Sequence, residues 1–189
     1  MEPAEILVAI TGASGVIYGV RLVQVLAQKT SVDVIVSRMA ERIGALELGY
    51  SIYERVSRFA RKVYWDHEME AMYSSSSSAP KNMVIAPCSI KTLSAIAHGY
   101  ASNLIVRAAL AVLRLARKLV LVVRETPLGV IELENMLKLA KAGAIILPAC
   151  PAFYHAPKTV EDMVDFVVGK VLDVLGYKHN LYRRWQSTG

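Results

Sequence analysis

Fifteen consecutive residues constrain the fold more tightly than any other stretch: Ile6-Leu7-Val8-Ala9-Ile10-Thr11-Gly12-Ala13-Ser14-Gly15-Val16-Ile17-Tyr18-Gly19-Val20. An apolar, β-branched run halts at Thr-Gly, passes through Ala-Ser-Gly and resumes with helical spacing, which predicts strand, tight turn and helix. Such a turn gathers unpaired backbone N–H groups and the positive end of a helix dipole, so an anion, most often a phosphate, is favoured there. Gly12 and Gly15 let the backbone approach that anion, and Ser14 adds a hydroxyl. Glycines that serve helix–strand packing alone are the plainer alternative.

The same alternation continues. Residues 32–37 read as a second strand, 39–48 as a helix, 82–87 as a third strand and 90–98 as a helix beginning at Cys88-Ser89. Residues 103–116 are helical, 118–123 a fourth strand, 135–142 helical and 144–147 a fifth strand. A last helix runs to Leu175, with Thr159 as its cap and Glu161 and Asp162 in the first turn, where the dipole favours acids. Residues 50–81 are the least regular. Their serine run, Ser74 to Ser78, reads as a flexible connector or as a lid that orders over a ligand. Strands alternating with helices predict one domain over 1–189: an α/β, open, doubly wound parallel sheet, a Rossmann-like (flavodoxin-like) three-layer sandwich with its polar loops at the strand carboxyl ends.

Composition agrees. Hydrophobic residues make up 54% and charged residues 20%, which excludes disorder and suits a parallel sheet covered on both faces. Apolar residues to spare predict subunit contacts and hence a homo-oligomer. The net charge of +6 comes from scattered basic residues without aromatic interleaving, so an anionic small molecule accounts for it and no nucleic-acid partner is expected. No run approaches the ~18 apolar residues of a membrane span, and Glu2 and Glu5 stand where a signal peptide has basic residues. A cytoplasmic protein with no membrane partner is therefore expected.

Several chemistries can be weighed. His67, His98, His155 and His179 lack metal-ligand spacing, with each other or with Cys88 and Cys150, so no metal is expected. Cys88, at a helix start, reads as a buried structural cysteine rather than a nucleophile. Thr11-Gly12-Ala13-Ser14-Gly15 with Tyr154 and Lys158 imitates a nicotinamide reductase, but Pro151 and Pro157 bracket that pair in a loop. The third glycine falls at Gly19, out of place for the fingerprint, and Ser37 stands where a nicotinamide site needs Asp or Glu for the ribose. Glu125 follows Arg124 at a strand end, where a carboxyl can trade protons.

Taken together, Thr11 to Gly15, Pro87-Cys88-Ser89 with Lys91-Thr92-Leu93, Asn103-Leu104-Ile105 with Arg107, Arg124-Glu125-Thr126-Pro127, Leu133 to Leu137, and Pro151 to His155 followed by Val160-Glu161-Asp162 resemble the UbiX (Pad-type) flavin prenyltransferases, in order over nearly the whole chain. The resemblance implies an enzyme that joins a dimethylallyl group from dimethylallyl phosphate to N5 and C6 of reduced FMN, making prenylated FMN for a UbiD-type decarboxylase. It further implies a dodecamer. By position, Gly12, Ala13, Ser14, Ser37, Ser89, Ile90, Lys91, Thr92 and Arg124 match the family's FMN-binding residues. Tyr154 and Lys170 match its dimethylallyl-phosphate residues, and Arg107 and Arg114 match basic residues reaching that phosphate from a neighbouring subunit. Ser14 and Glu125 match the residues that handle protons. Lys170 stands where many relatives have Arg, Arg114 where they often have Lys, and Met69 near a tryptophan of some relatives. Two other classes share the architecture: an FMN-dependent decarboxylase of the cysteine-decarboxylase type, whose Pro-x-Met-Asn clamp is absent here, and a non-catalytic flavin carrier.

Overall fold

The computed structural model describes residues 2–185. Side chains of β1 (Ile6–Ile10) alternate between two cores: Ile6, Val8 and Ile10 enter one, Leu7 and Ala9 the other. A strand buried on both faces in this way belongs in the middle of a parallel sheet. Beside it lie β2 (Val32–Val36) and β4 (Asn82–Cys88); the full order is β3-β2-β1-β4-β5-β6, all pairs parallel, with β3 at Lys62–Trp65, β5 at Lys118–Val123 and β6 at Ile145–Ile146. Helices α1 (Val16–Leu26), α2 (Arg38–Leu48), α3 (Ile52–Ser57) and α7 (Val160–Leu175) cover one face. The other carries α4 (Ile90–Ala97), α5 (Leu104–Arg114) and α6 (Val130–Lys141). Among the described residues no helix is long and apolar enough to cross a membrane.

The doubly wound sandwich is as expected, with one strand more. Residues 50–81, read as irregular, contain α3 and the edge strand β3. Their short length and mixed polarity hide them: β3 has only four residues and a single fully buried one, Tyr64, because an edge strand is half solvated. With β3 in place the order becomes that of the dinucleotide-binding fold. Helix α6 begins at Val130, five residues before the expected start, because Glu132 reaches back to accept the Gly129 N–H (2.8 Å).

The serine run is not a free connector. It forms two 3₁₀ turns, Met72–Ser74 and Ser76–Ser78, pinned by a fully buried Tyr73. The Tyr73 hydroxyl donates to Asp33 Oδ2 (2.7 Å) and accepts the Ala4 N–H (2.9 Å). Asp33, inside β2 and fully buried, also takes both Arg61 Nε (3.0 Å) and Nη2 (2.9 Å). Burial pushes the Tyr73 phenol above its ordinary range, so it stays a donor. Replacing Tyr73 by Phe strips one bond from a buried carboxylate and orphans a backbone N–H, a loss of about 1–3 kcal/mol. The expected melting temperature falls by about 2–12 °C; an unchanged melting curve would show the network to be idle.

Candidate active site

The strand order reverses between β1 and β4, and the loops leaving those strands diverge there, opening a crevice at the carboxyl edge. Its volume is about 500 Å³, and its walls are Thr11, Gly12, Ser37, Arg38, Met39, Asp66, Ser89, Ile90, Lys91, Thr92, Asn103, Ile105 and Glu125.

Three helices start on this crevice, each with a polar cap that fits its sequence. Ser37 Oγ accepts the Ala40 N–H at α2 (3.0 Å), Ser89 Oγ the Thr92 N–H at α4 (3.4 Å), and Asn103 Oδ1 the Val106 N–H at α5 (3.0 Å). Thr11 Oγ1 donates to the Pro87 carbonyl (2.7 Å) and accepts the Ser89 N–H (2.9 Å), stitching the exits of β1 and β4 together. The caps leave other first-turn N–H groups to a ligand. Three positive dipole ends and the exposed Lys91 thus line one cavity, which favours an anionic occupant.

The first loop already holds an anion. Gly15 caps α1 in the left-handed region (φ 90°), and its N–H donates to both carboxylate oxygens of Glu47 (2.9 and 3.2 Å). Behind the loop, Tyr18 sits so close that a Cβ on Gly15 would meet its ring at 2.8 Å. Burial raises the Tyr18 phenol, the Arg124 charge pulls it back, and Cys150 pushes it up again, so these three groups share one corner. Glu125 is exposed; its Oε1 accepts the Thr126 N–H (3.0 Å). Burial pushes the Cys88 thiol up to about 12, which removes it as a nucleophile at neutral pH.

A second cluster gathers on α7. Tyr154 stands edge-on to Phe166 (5.9 Å) and Trp185 (5.4 Å), while His155 stacks on Phe166 (5.1 Å, 11°). The Lys170 ammonium lies over the rings of Tyr182 (5.1 Å) and Phe166 (5.3 Å). The contact with Tyr182 outweighs partial burial and raises the Lys170 pKa, keeping a cation at this point.

Of the expected site residues, Gly12, Ser37, Ser89, Ile90, Lys91, Thr92 and Glu125 meet in the crevice. Ala13 and Ser14 belong to the first loop, and Arg124 precedes Glu125 at the end of β5. Tyr154 and Lys170 join the aromatic cluster, off the crevice lining. Arg107 and Arg114 are exposed on α5, two turns apart; Arg107 Nε donates to the Ser74 carbonyl (2.9 Å). Thr11, Arg38, Met39, Asp66, Asn103 and Ile105 were missed as lining residues, as was Glu47 at the first loop. Arg38 carries a readable signal, directly following a helix cap; Asp66 was hidden with β3, and Glu47 has no local signal at all.

A family model described as Flavoprotein matches residues 1–172. The chain is 50% identical to Flavin prenyltransferase UbiX of Saccharolobus solfataricus over 186 residues, 97% of this chain and 92% of that protein. Among solved structures it superimposes on AnUbiX in complex with FMN and dimethylallyl pyrophosphate with a TM-score of 0.94 at 37% identity, covering 100% of both chains. A dodecameric FMN-dependent UbiX-like decarboxylase from Escherichia coli gives a TM-score of 0.92 at 42% identity, covering 96% of this chain and 99% of that one. A crevice built for an anion at the switch point of a Rossmann-like sheet and identity of this extent over nearly the full length agree: the chain belongs to the flavin prenyltransferase family, UbiX.

Proposed function

We propose that this chain is a metal-independent flavin prenyltransferase, joining the dimethylallyl group of dimethylallyl phosphate to reduced FMN and supplying prenylated FMN to a separate UbiD-type decarboxylase. The observation that carries the reading is the donor set at the crevice: three capped helix N-termini and Lys91. Such donors fit a phosphate monoester with a polar ring system, which is what FMN presents. Gly12, Ala13, Ser14, Ser37, Ser89, Ile90, Lys91, Thr92 and Arg124 would hold it. Bound reduced flavin supplies nucleophilic N5 and C6.

The protein's own part is to orient, to shield and to manage charge. An allylic phosphate ionises by shedding its phosphate, so cations must meet the negative charge as it develops. Lys170 supplies one beside Tyr154; its raised pKa keeps it protonated at neutral pH. Arg107 and Arg114, both exposed on α5, would supply two more from a neighbouring subunit. Glu125 holds or moves the proton at the free Oε2, and Ser14 assists through its hydroxyl.

A homo-oligomer, as in the dodecameric relative, fits the surface. Val130, Ile131, Leu133 and Leu137 of α6 are all exposed on the monomer, an apolar area that a neighbouring copy would cover.

The test is to mix purified protein with reduced FMN and dimethylallyl phosphate and weigh the flavin. A gain of one prenyl unit is expected, with dimethylallyl diphosphate in parallel to rank the donors. Flavin of unchanged mass with both donors would overturn the reading and favour the flavin carrier.

A further inference from the structure

The last turn of α7 holds a carboxylate that a helix would not choose. The carboxyl end of a helix is its negative pole, so Asp173 is disfavoured there, and that turn contains no basic residue to offset it. Its partners come from the chain beyond. Gly176 turns the backbone in the left-handed region (φ 85°), and residues 177–185 run back along the helix. Asp173 Oδ1 accepts from Arg184 Nη2 (2.6 Å) and His179 Nε2 (3.1 Å); Oδ2 accepts from the Tyr182 hydroxyl (2.5 Å). His179 Nδ1 accepts the Leu181 N–H (3.2 Å), which fixes the proton on Nε2 and makes the histidine a donor to Asp173. Burial pushes the Asp173 carboxyl up, but the bonds from Arg184, Tyr182 and His179 outweigh it and hold the group below its usual range.

The returning segment also fits the helix sterically. A Cβ on Gly169 would meet the Tyr182 ring at 2.6 Å and His179 Cε1 at 2.7 Å, so the glycine makes the seat for both. Seated there, Tyr182 packs on Phe166 (4.8 Å) and lays its ring under the Lys170 ammonium (5.1 Å), and three residues on Trp185 stands edge-on to Tyr154. One carboxylate therefore governs the neighbours of both Lys170 and Tyr154.

We propose that Asp173 is a positioning residue for the prenyl-phosphate end of the site: it clamps residues 177–185 onto α7, so that Tyr182 holds the Lys170 ammonium and Trp185 holds the Tyr154 ring. This rests on the prenyltransferase reading above. The clamp acts on substrate binding and leaves the flavin crevice untouched, because none of its residues lines that crevice.

The test compares wild type, Asp173→Ala, Asp173→Asn and Tyr182→Phe, all in a Trp65→Phe background so that Trp185 alone reports by fluorescence. Asp173→Ala is expected to raise KM for dimethylallyl phosphate about tenfold or more while FMN affinity stays within about twofold, the split a binding role requires. Trp185, already largely exposed, should change in emission intensity and lose anisotropy as the ring leaves Tyr154. Should Asp173→Ala misfold, Asp173→Asn and Tyr182→Phe, which keep size and ring, should show the same pattern with smaller amplitude. An unchanged KM in variants whose wild type prenylates FMN overturns this inference alone, as does Trp185 emission of unchanged intensity and anisotropy. A wild type that does not prenylate FMN removes the reading beneath it and this inference with it.

Discussion

Glu125→Gln is expected to bind FMN as wild type does and to form prenylated flavin about 10²–10⁴-fold more slowly, the usual worth of a positioned general acid or base. The substitution isolates the proton. Gln has the volume of Glu, and its amide oxygen can still accept the Thr126 N–H that Glu125 Oε1 takes at 3.0 Å, so the loop after β5 keeps its shape. What disappears is the capacity of the second oxygen to carry a proton at the crevice wall. A factor of 10³ corresponds to about 4 kcal/mol of transition-state stabilisation, well beyond the roughly 1 kcal/mol at most of an exposed surface ion pair. The measurement is single-turnover prenylation with reduced FMN, together with an FMN titration. A rate within about threefold of wild type would reduce Glu125 to a surface carboxylate, and loss of FMN binding would assign it to the flavin instead.

The second large effect concerns packing. Gly19→Ala should destabilise the protein by about 3 kcal/mol, near the upper end for overpacking, and lower its melting temperature by about 6–12 °C. Helix propensity argues the opposite sign, since Ala is favoured over Gly by about 1 kcal/mol inside a helix. Geometry decides between them. A Cβ on Gly19 would stand 2.2 Å from the Ala86 carbonyl oxygen and 2.8 Å from Ile10 Cγ1. Ala86 is backbone of a central strand and Ile10 is fully buried, so neither can step aside. Helix α1 must lift away from the sheet and carry Gly12 to Gly15 with it. Weaker FMN binding should therefore accompany the lower melting temperature in calorimetry; a Gly19→Ala protein as stable as wild type would mean that α1 floats freely on β4.

Gly19 also shows how far a motif can be read. As a sequence position it is out of place for a dinucleotide fingerprint, which argues against a nicotinamide site. In three dimensions it does the work of that fingerprint's last glycine, close helix–strand packing, against the backbone of β4 as well as the Ile10 side chain of β1. Strand β4 lies more than sixty residues downstream, and no local pattern names it.

What the amino-acid order determined alone is whatever acts over a few residues or repeats along the chain. The β1 turn, the caps Ser89 and Thr159, the apolar strand runs and the ordered family motifs are all of this kind, because hydrogen bonds between neighbours and two-residue or 3.6-residue periods leave a local trace. Only the tertiary structure decided the rest: that Glu47 reaches the Gly15 N–H, that Tyr73 closes on Asp33, that Asp66 joins Asn103 at the crevice, and that one aspartate on α7 gathers His179, Tyr182 and Arg184. Each of these joins groups brought together by the way strands are ordered and helices are laid over them. That ordering is set by burial summed over the whole chain, and burial is not directional, so no single segment records which neighbour it will meet.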